Sequence, residues 1–423
     1  MKRSGYRWAI CALLFLATTI NYIDRGVIGI LKSTITHDLH WSEVAYADVV
    51  FWFQLFYAIG YAVAGRFIDK VGTRIGYAWA VGLWSLAATL HFAARSVVSF
   101  SVVRSLLGLA EGGNFPGATR ATAEWFPRKE RALAFGFLNA GSNVGAIVTP
   151  LAVPWITLRF GWPATFVVTG SLGFLWLIGW LTIYKSPSEA SKVNAEELDL
   201  IQSDPAEPNV EIPWLRLLRY RPTWAAIFGM ALTSPVWWFY LFWIPDFLGK
   251  TYHLDLTNIG PPLIAIYLMA DVGSIVGGWI SSRLISLGWP VGKSRKLAML
   301  LAVLCVAPLL SVPGTSDLWR VTVLIGLAAA GHQAFSANLY TLVSDTMPKP
   351  TVSSVVGLAG MAGSVAGMFM AKFVGWLLDT THSYTPVFLI APAAYILALI
   401  LISLLLPRYD QTITEEFAEE VPA

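Results

Sequence analysis

The architecture of this chain can be inferred by starting from the stretch Gly65-Arg-Phe-Ile-Asp69-Lys70-Val-Gly72-Thr-Arg74, a short charged segment between two long apolar runs. A degraded copy, Gly278-Trp-Ile-Ser-Ser282-Arg283, follows the eighth apolar run as the first copy follows the second. A second pair of related segments lies inside the fifth and eleventh runs, where Gly141-Ser-Asn-Val-Gly145 corresponds to Gly363-Ser-Val-Ala-Gly367. Matches at equivalent positions indicate two similar halves, as in membrane proteins built from structural repeats.

The composition is that of a membrane protein. Of the 423 residues, 56% are hydrophobic and only 13% are charged, whereas soluble globular proteins usually contain roughly 25% charged residues. A water-soluble form would expose more apolar surface than a soluble monomer tolerates, and the 19 Trp residues add to that surface. The composition therefore excludes a water-soluble enzyme and predicts that lipid covers most of the protein.

The apolar runs predict an all-α membrane protein with twelve transmembrane helices in two six-helix pseudo-repeats. A spanning helix needs about 20 apolar residues, and each run is close to that length. The runs lie at 8–31, 45–66, 75–94, 97–122, 132–158, 162–184, 222–249, 258–284, 296–312, 318–345, 352–378 and 383–406. The first run has no small-residue cleavage site, so we expect it to remain as a span.

The domain organisation follows from the one long polar stretch between the halves. We predict an N-terminal six-helix bundle at 1–184, a cytoplasmic linker at 185–221, a C-terminal six-helix bundle at 222–407 and a cytoplasmic tail at 408–423. Within the linker, Asn194 to Gln202 has the pattern of an amphipathic helix.

The distribution of Lys and Arg predicts that both termini are cytoplasmic. Most of these residues lie in segments on the same side as the termini, and cytoplasmic segments carry the excess of positive charge. The few on the opposite side are Lys32, Arg95, Arg159, Lys250 and Arg320.

Four ionisable residues lie well inside the first half, far from the ends of their runs: Asp24 and Arg25 in the first run, and Arg104 and Glu111 in the fourth. Each unpaired charge at membrane depth costs at least ~2.5–3.5 kcal/mol, so these residues need partners or water. Asp24 and Arg104 both lie about 10 Å below the outer boundary, which predicts that they pair. The longer Arg25 side chain is expected to reach Glu111. The alternative is that all four residues form structural salt bridges between two helices.

Several motifs resemble those of the major facilitator superfamily, and more narrowly its anion:cation symporter family. They are Asn21-Tyr22-Ile23-Asp24-Arg25, the Gly65–Arg74 segment, Arg104-Ser-Leu-Leu-Gly-Leu-Ala-Glu111-Gly-Gly-Asn-Phe-Pro116, Glu124-Trp-Phe-Pro127 and Gly141-Ser-Asn-Val-Gly145. The resemblance covers nearly all of the first half. It implies the major facilitator fold.

Within that family the chain is most similar to bacterial hexuronate transporters, chiefly through Gly331-His332-Gln333-Ala334 and Leu342-Val-Ser-Asp345. The resemblance implies import of a sugar-acid anion such as glucuronate or galacturonate by proton symport, with alternating access, across a bacterial inner membrane. Two features depart from the family pattern. Ser282 stands where the second copy of the charged segment would have an acidic residue, and Lys372 in the eleventh run corresponds to no residue of the family motifs.

Arg25 is the expected binding residue for the substrate carboxylate, because a guanidinium can donate a hydrogen bond to each of the two carboxylate oxygens. Without substrate, Glu111 would neutralise Arg25. When the substrate takes that role, Glu111 is left buried without its cation, and such a carboxylate favours its protonated form. Asp24 and Arg104 complete the group that we expect to couple substrate and proton binding.

Polar residues on other runs are candidates for binding sugar hydroxyl groups. These candidates are Gln54, Tyr57, Asn139, Asn143, His332 and Gln333. Gln54 and Tyr57 share one helix face, and the resemblance also implies Tyr57 at the substrate. His332 is also a candidate proton relay. The alternative for each residue is a hydrogen bond between helices.

The aromatic cluster Trp237, Trp238 and Tyr240 adjoins Pro235. It is a candidate for stacking on the sugar and for a broken seventh helix; the alternative is anchoring at the lipid interface. For Asp69 and Arg74 the resemblance implies a gating latch across helix ends, and the alternative is an anchor at the cytoplasmic interface.

Other functional classes find little support. The six His residues show no metal-ligand spacing, and the segment Gly288–Ser294 has three residues rather than four between its glycines and lacks a preceding strand, which argues against a phosphate-binding loop. We expect no enzymatic activity, no cofactor and no nucleic-acid partner, and a monomer. Open alternatives are an aldonate, aldarate, phosphate or dipeptide as substrate, sodium as coupling ion, and a channel or a nutrient-sensing receptor.

Overall fold

The computed structural model describes residues 4–203, 214–347 and 349–407. Within these ranges, the side chains at positions 69, 128, 129, 131–133, 135, 139, 214, 349, 350 and 353 are outside the description. Asp69, Asn139 and the tail at 408–423, which carry predictions made above, therefore lie outside the described part.

The described residues fold into α-helices with short connections. The first half contains α1 (Tyr6–Ile30), α2 (Lys32–Asp38), α3 (Glu43–Val71), α4 (Thr73–Leu90), α5 (Val97–Glu111), α6 (Asn114–Trp125), α7 (Arg128–Phe160), α8 (Trp162–Ile183) and α9 (Ala195–Ile201). The second half contains α10 (Trp214–Leu217), α11 (Arg221–Tyr252), α12 (Gly260–Ser286), α13 (Val291–Val306), α14 (Leu318–Thr346), α15 (Lys349–Thr381) and α16 (Thr385–Leu405).

Helices occupy all twelve intervals that the apolar runs predicted. Nine helices in the described part of the chain are long and apolar enough to cross a membrane. The fourth interval is divided into α5 and α6 at Gly112 and Gly113, and the ninth ends in a 3-10 helix at Ala307–Gly314. The prediction of a broken seventh helix is wrong, because α11 runs without interruption through Pro235. Proline removes one backbone donor, which a membrane helix tolerates when neighbouring helices pack around it.

The chain divides into two compact units, Met1–Pro208 and Asn209–Ala423. The same pairs of helices pack in both. In the first unit α1 packs on α7, α3 on α5 and α4 on α8; in the second, α11 packs on α15, α12 on α14 and α13 on α16. This shared pairing is what a duplicated six-helix unit requires.

Glycines allow the paired helices to approach closely. A Cβ atom added at Gly108 of α5 would lie 2.2 Å from the backbone oxygen of Phe53 in α3, and one at Gly273 of α12 would lie 2.3 Å from the backbone oxygen of Ala330 in α14. Both distances are far inside van der Waals contact. Small residues in membrane helices increase packing area in this way, because lipid provides no hydrophobic driving force for association.

The helix predicted within the linker is present as α9, and it is tied to the start of α1 through Glu197. The Glu197 carboxylate accepts hydrogen bonds from the backbone N–H groups of Tyr6 at 3.0 Å and Arg7 at 3.2 Å, and also from the Ser4 hydroxyl. Arg7 Nη1 lies 2.8 Å from Glu197 Oε1, and Arg7 Nε lies 2.9 Å from Glu130 Oε2 at the start of α7. A carboxylate at a helix N-terminus also interacts favourably with the helix dipole.

The Glu197 contacts make a prediction about stability. Burial raises the pKa of Glu197, but hydrogen bonds from Ser4 and Arg7 lower it by more, so that it lies below its ordinary value. A depressed carboxyl pKa stabilises the fold above the unfolded-state pKa of about 4.3, and this stabilisation is lost as the pH falls through the folded-state value. We expect Glu197→Gln to cost about 2 kcal/mol at neutral pH and to remove the part of the acid sensitivity that Glu197 contributes. Thermal unfolding of purified protein between neutral and acidic pH measures both effects.

The control for this prediction is Asp199→Asn, on the exposed face of the same helix. It should leave the unfolding temperature at neutral pH unchanged. Equal unfolding temperatures for Glu197→Gln and the control would show that the carboxylate contributes nothing to stability.

Candidate substrate and proton site

Arg25 and Glu111 form a buried ion pair between α1 and α5, as predicted. Arg25 Nε lies 3.0 Å and Nη2 2.9 Å from the same Glu111 oxygen, Oε2. Arg25 Nη2 also donates to Asn21 Oδ1 at 3.0 Å, one turn earlier on α1. Both charged side chains are almost entirely buried. The Nε and Nη2 edge of the guanidinium, which would grip a carboxylate with two hydrogen bonds, is therefore already occupied by Glu111.

Aromatic rings surround the guanidinium. The Arg25 Cζ atom lies 4.7 Å from the ring centre of Tyr57 and 4.9 Å from that of Tyr22. Phe53 is slightly further, at 6.0 Å, and stacks on Tyr57 with ring centres 5.8 Å apart. Rings at this distance attract a cation through their faces, and they exclude water from its other sides. Tyr57, predicted as a substrate residue, thus lies directly beside the predicted carboxylate-binding group.

The predicted ion pair between Asp24 and Arg104 is wrong. Within the part of the chain that the structure describes, neither Asp24 oxygen and none of the three Arg104 guanidinium nitrogens has a hydrogen-bond partner. Arg104 instead has its Cζ atom 5.2 Å from the ring centre of Phe53. The prediction used depth alone, but pairing also depends on the direction in which each side chain leaves its helix. Over its whole length, α1 packs mainly on α7 and α8.

Several other buried polar atoms of this unit lack partners among the described residues. They are both amide atoms of Gln54, Oε1 of Glu111 and Nδ2 of Asn21. Gln54 is completely buried on α3, one turn before Tyr57. Buried polar groups are nearly always hydrogen-bonded in folded proteins, so this concentration of available donors and acceptors is typical of a functional site.

The candidates of the second unit are held in different ways. His332 is buried and stacks on Trp237 with ring centres 5.0 Å apart. Its Nδ1 atom is 2.5 Å from the Tyr395 hydroxyl, and its Nε2 atom is 3.4 Å from Ser336 Oγ. Both ring nitrogens are thus engaged, which favours a fixed hydrogen-bonding role over a proton relay. Gln333, next to it, is half-buried.

Two further described candidates, Asn143 and Arg74, belong to the first unit. Asn143 is half-buried on α7 and accepts a hydrogen bond of 3.4 Å from Ser142. Arg74, at the start of α4, donates a hydrogen bond of 2.6 Å to the backbone oxygen of Leu181 in the last turn of α8. Arg74 therefore links two helix ends, which is compatible with a latch or an anchor.

Two buried charges were not recognised from the sequence. Lys32 has no exposed surface and pairs with Glu43 Oε2 at 2.6 Å, whereas the sequence had placed it only among the few positive charges on the side opposite the termini. Asp246 is buried in α11, where it contacts the Tyr384 hydroxyl and Lys250 Nζ, the latter at 3.1 Å. A signal for the second pair was available, because Asp246 and Lys250 are four residues apart on one helix.

Similarity to known proteins agrees with this architecture. Residues 14–371 match the Major Facilitator Superfamily. The hexuronate transporter of Escherichia coli strain K12 is 32% identical over 394 residues, which cover 92% of this chain and 91% of the relative. A probable galactarate/D-glucarate transporter of Bacillus subtilis strain 168 is 29% identical over 401 residues, covering 90% and 88%. A solved bacterial homologue of the lysosomal transporter Spinster superposes with a TM-score of 0.73 at 16% identity, over 99% of both chains.

The family match and the transporters among the relatives identify a membrane transporter rather than an enzyme. The chain belongs to the Major Facilitator Superfamily.

Proposed function

We propose that this protein imports a sugar-acid anion, such as glucuronate or galacturonate, together with a proton across the bacterial inner membrane. The single observation that carries this proposal is the Arg25–Glu111 pair, in which one carboxylate oxygen occupies the guanidinium edge that a substrate carboxylate needs. The similarity to a hexuronate transporter supports the substrate class. Both termini would lie in the cytoplasm, as the distribution of Lys and Arg favours.

Coupling follows from competition for Arg25. A substrate carboxylate can bind the Nε and Nη2 edge only after Glu111 has left it. Glu111 is fully buried, and an ionised carboxylate without a cation is costly there, so it is neutralised by a proton. By linkage, a proton on Glu111 frees Arg25 and strengthens substrate binding by the same factor. Asp24 and Arg104 modulate this equilibrium through their charges, and alternating access then carries substrate and proton together.

Uptake into proteoliposomes containing the full chain tests this function. Labelled glucuronate, galacturonate, galactonate and glucarate are offered with and without an inward pH gradient, in sodium-free buffer. We expect saturable accumulation of a hexuronate that depends on the gradient. Accumulation that requires sodium, or flux that neither saturates nor shows counterflow, would contradict proton symport.

A second candidate substrate class is the aldarates, the dicarboxylic sugar acids. The similarity to a probable galactarate/D-glucarate transporter favours it. A second carboxylate would need a second cation, and Arg104 and Lys372 are the candidates for this role. Competition of glucarate against labelled glucuronate distinguishes the two classes, because a hexuronate-specific protein binds glucarate weakly.

A further inference from the structure

Phe53 is an aromatic residue of α3 whose ring lies close to two buried guanidinium groups. The Cζ atom of Arg104 is 5.2 Å from the centre of this ring, and that of Arg25 is 6.0 Å from it. Phe53 and both arginines are almost completely buried. An aromatic face attracts a cation most strongly where water is excluded. One ring therefore helps to fix the positions of two cations, of which the proposed function gives a substrate contact only to Arg25.

The charges of the two arginines are compensated in different ways. Arg25 donates hydrogen bonds to Glu111 and Asn21. Among the residues that the structure describes, none of the three guanidinium nitrogens of Arg104 has a hydrogen-bond partner. A buried cation without an acceptor is costly, so any group that stabilises it contributes strongly to where it lies. The ring of Phe53 thus stabilises a guanidinium that no described acceptor holds.

Arg104 and Glu111 lie on the same face of α5. They are two helical turns apart, about 10 Å along the axis at ~1.5 Å per residue, and their opposite charges attract each other. Gly108 lies between them on this face, where an added Cβ atom would be 2.2 Å from the backbone oxygen of Phe53. The α3 backbone at Phe53 therefore occupies the space between the two charged side chains.

This arrangement has a consequence when a substrate carboxylate takes the place of Glu111 on Arg25. Glu111 is then a buried carboxylate without a cation, and either a proton or another cation can neutralise it. Arg104 has a long, flexible side chain with unpartnered donors, and Oε1 of Glu111 has no hydrogen-bond partner among the described residues. If Arg104 reached Glu111, the substrate would bind without any proton.

Arg104 is the nearest competing cation among the described groups around Glu111. The helices that pack most extensively on α5 are α3 and α4, and their other described cations, Arg66, Lys70 and Arg74, are exposed. Asp24 of α1 also acts electrostatically on Glu111, but it is an acid. The remaining described titratable groups of α3 and α4 are Glu43, Tyr46, Asp48, Tyr57, Tyr61 and Tyr77. None of these groups carries a positive charge that could replace the proton.

We infer that Phe53 is a positioning residue that holds Arg104 away from Glu111, so that a proton rather than a guanidinium neutralises Glu111 when a sugar acid binds. This inference rests on the proposed function. Phe53 acts through Arg104 and provides no proton itself. Without the aromatic face, Arg104 is free to pair with the displaced Glu111, and substrate binding is no longer coupled to proton uptake.

Proton uptake on substrate binding tests the inference. Purified full-length protein in weakly buffered detergent solution is mixed with glucuronate, and the protons taken up per molecule bound are measured. Wild type should take up roughly one proton, and Phe53→Leu, which removes the aromatic face, less than about half of one. Phe53→Tyr keeps the face and should behave as wild type. The double variant Phe53→Leu/Arg104→Gln should again take up roughly one proton, because no guanidinium remains to replace it.

The matched control is Phe388→Leu in the second unit, where Phe388 is buried against the rings of Phe239 and Phe247. It makes the same change in another aromatic cluster and should keep wild-type proton uptake. If Phe53→Leu does not fold, a trifluorinated phenylalanine at position 53 replaces it, since fluorination weakens the attraction for a cation while nearly keeping the shape of the ring.

Three results would overturn the inference. The first is full proton uptake by Phe53→Leu or by the fluorinated protein. The second is a loss of proton uptake that Arg104→Gln does not restore, because Phe53 would then act through another group. The third is a folded Phe53→Leu protein that binds no glucuronate, because the ring would then serve binding rather than coupling. If wild type itself binds glucuronate without taking up a proton, the proposed proton symport fails, which distinguishes that failure from the other three.

Discussion

Replacing Arg25 with lysine is expected to reduce sugar-acid uptake about 100-fold at low substrate concentration, because two charge-assisted hydrogen bonds to the carboxylate are lost while the positive charge remains. Lysine presents a single ammonium group, which cannot match a carboxylate in the planar, two-point geometry of the guanidinium edge. Initial rates of uptake in proteoliposomes measure this effect, with the amount of reconstituted protein determined for each variant.

The matched control for Arg25→Lys is Arg159→Lys, at the exposed end of α7. It should transport at the wild-type rate. Thermal unfolding of the purified Arg25→Lys protein establishes that it is folded, since Glu111 remains buried and needs a cation nearby. A folded Arg25→Lys protein that transports as fast as the control would remove Arg25 from the binding site.

Glu111→Gln is expected to separate exchange from accumulation. Glutamine keeps the size and hydrogen-bonding capacity of the side chain but cannot carry a proton, so the substrate should still bind Arg25 and move in both directions. In wild type, each pH unit of gradient can drive up to about tenfold accumulation for one coupled proton. In Glu111→Gln that accumulation should vanish, whereas counterflow of labelled against unlabelled sugar acid should continue.

The control for this second prediction is Glu189→Gln, an exposed residue after α8. It removes a carboxylate of the same type and should leave both accumulation and counterflow intact. Full pH-driven accumulation by Glu111→Gln would assign proton coupling to another group, with Asp24 as the first alternative.

The sequence was sufficient for the helical architecture because its main signals are long and local. Twelve apolar runs define helices through composition alone, and the segments of related sequence reveal the repeat. The predicted helix boundaries were less accurate where tertiary packing determines whether a helix continues. Gly112 and Gly113 divide a helix that was predicted to be continuous, whereas α11 continues through Pro235, where a break was predicted. Whether a proline or a glycine ends a membrane helix thus depends on whether neighbouring helices pack around that point and satisfy its backbone groups.

The candidate site shows the same division between local and tertiary information. The Arg25–Glu111 contact was predictable because arginine is long enough to compensate for an uncertain helix rotation. The shorter Asp24 has no such tolerance, and within the described residues it makes no hydrogen bond to its expected partner, Arg104. The contacts of Glu197 could not be predicted at all, because the sequence of the linker does not specify the helix end on which it docks.

Proton uptake on substrate binding tests the central claim most directly. Purified protein in weakly buffered detergent solution is mixed with glucuronate, and the change in pH is recorded for wild type and Glu111→Gln. If a substrate carboxylate displaces Glu111 from Arg25, wild type should take up roughly one proton for each molecule bound, and Glu111→Gln should bind without taking up a proton. Equal proton uptake by the two proteins would contradict the account.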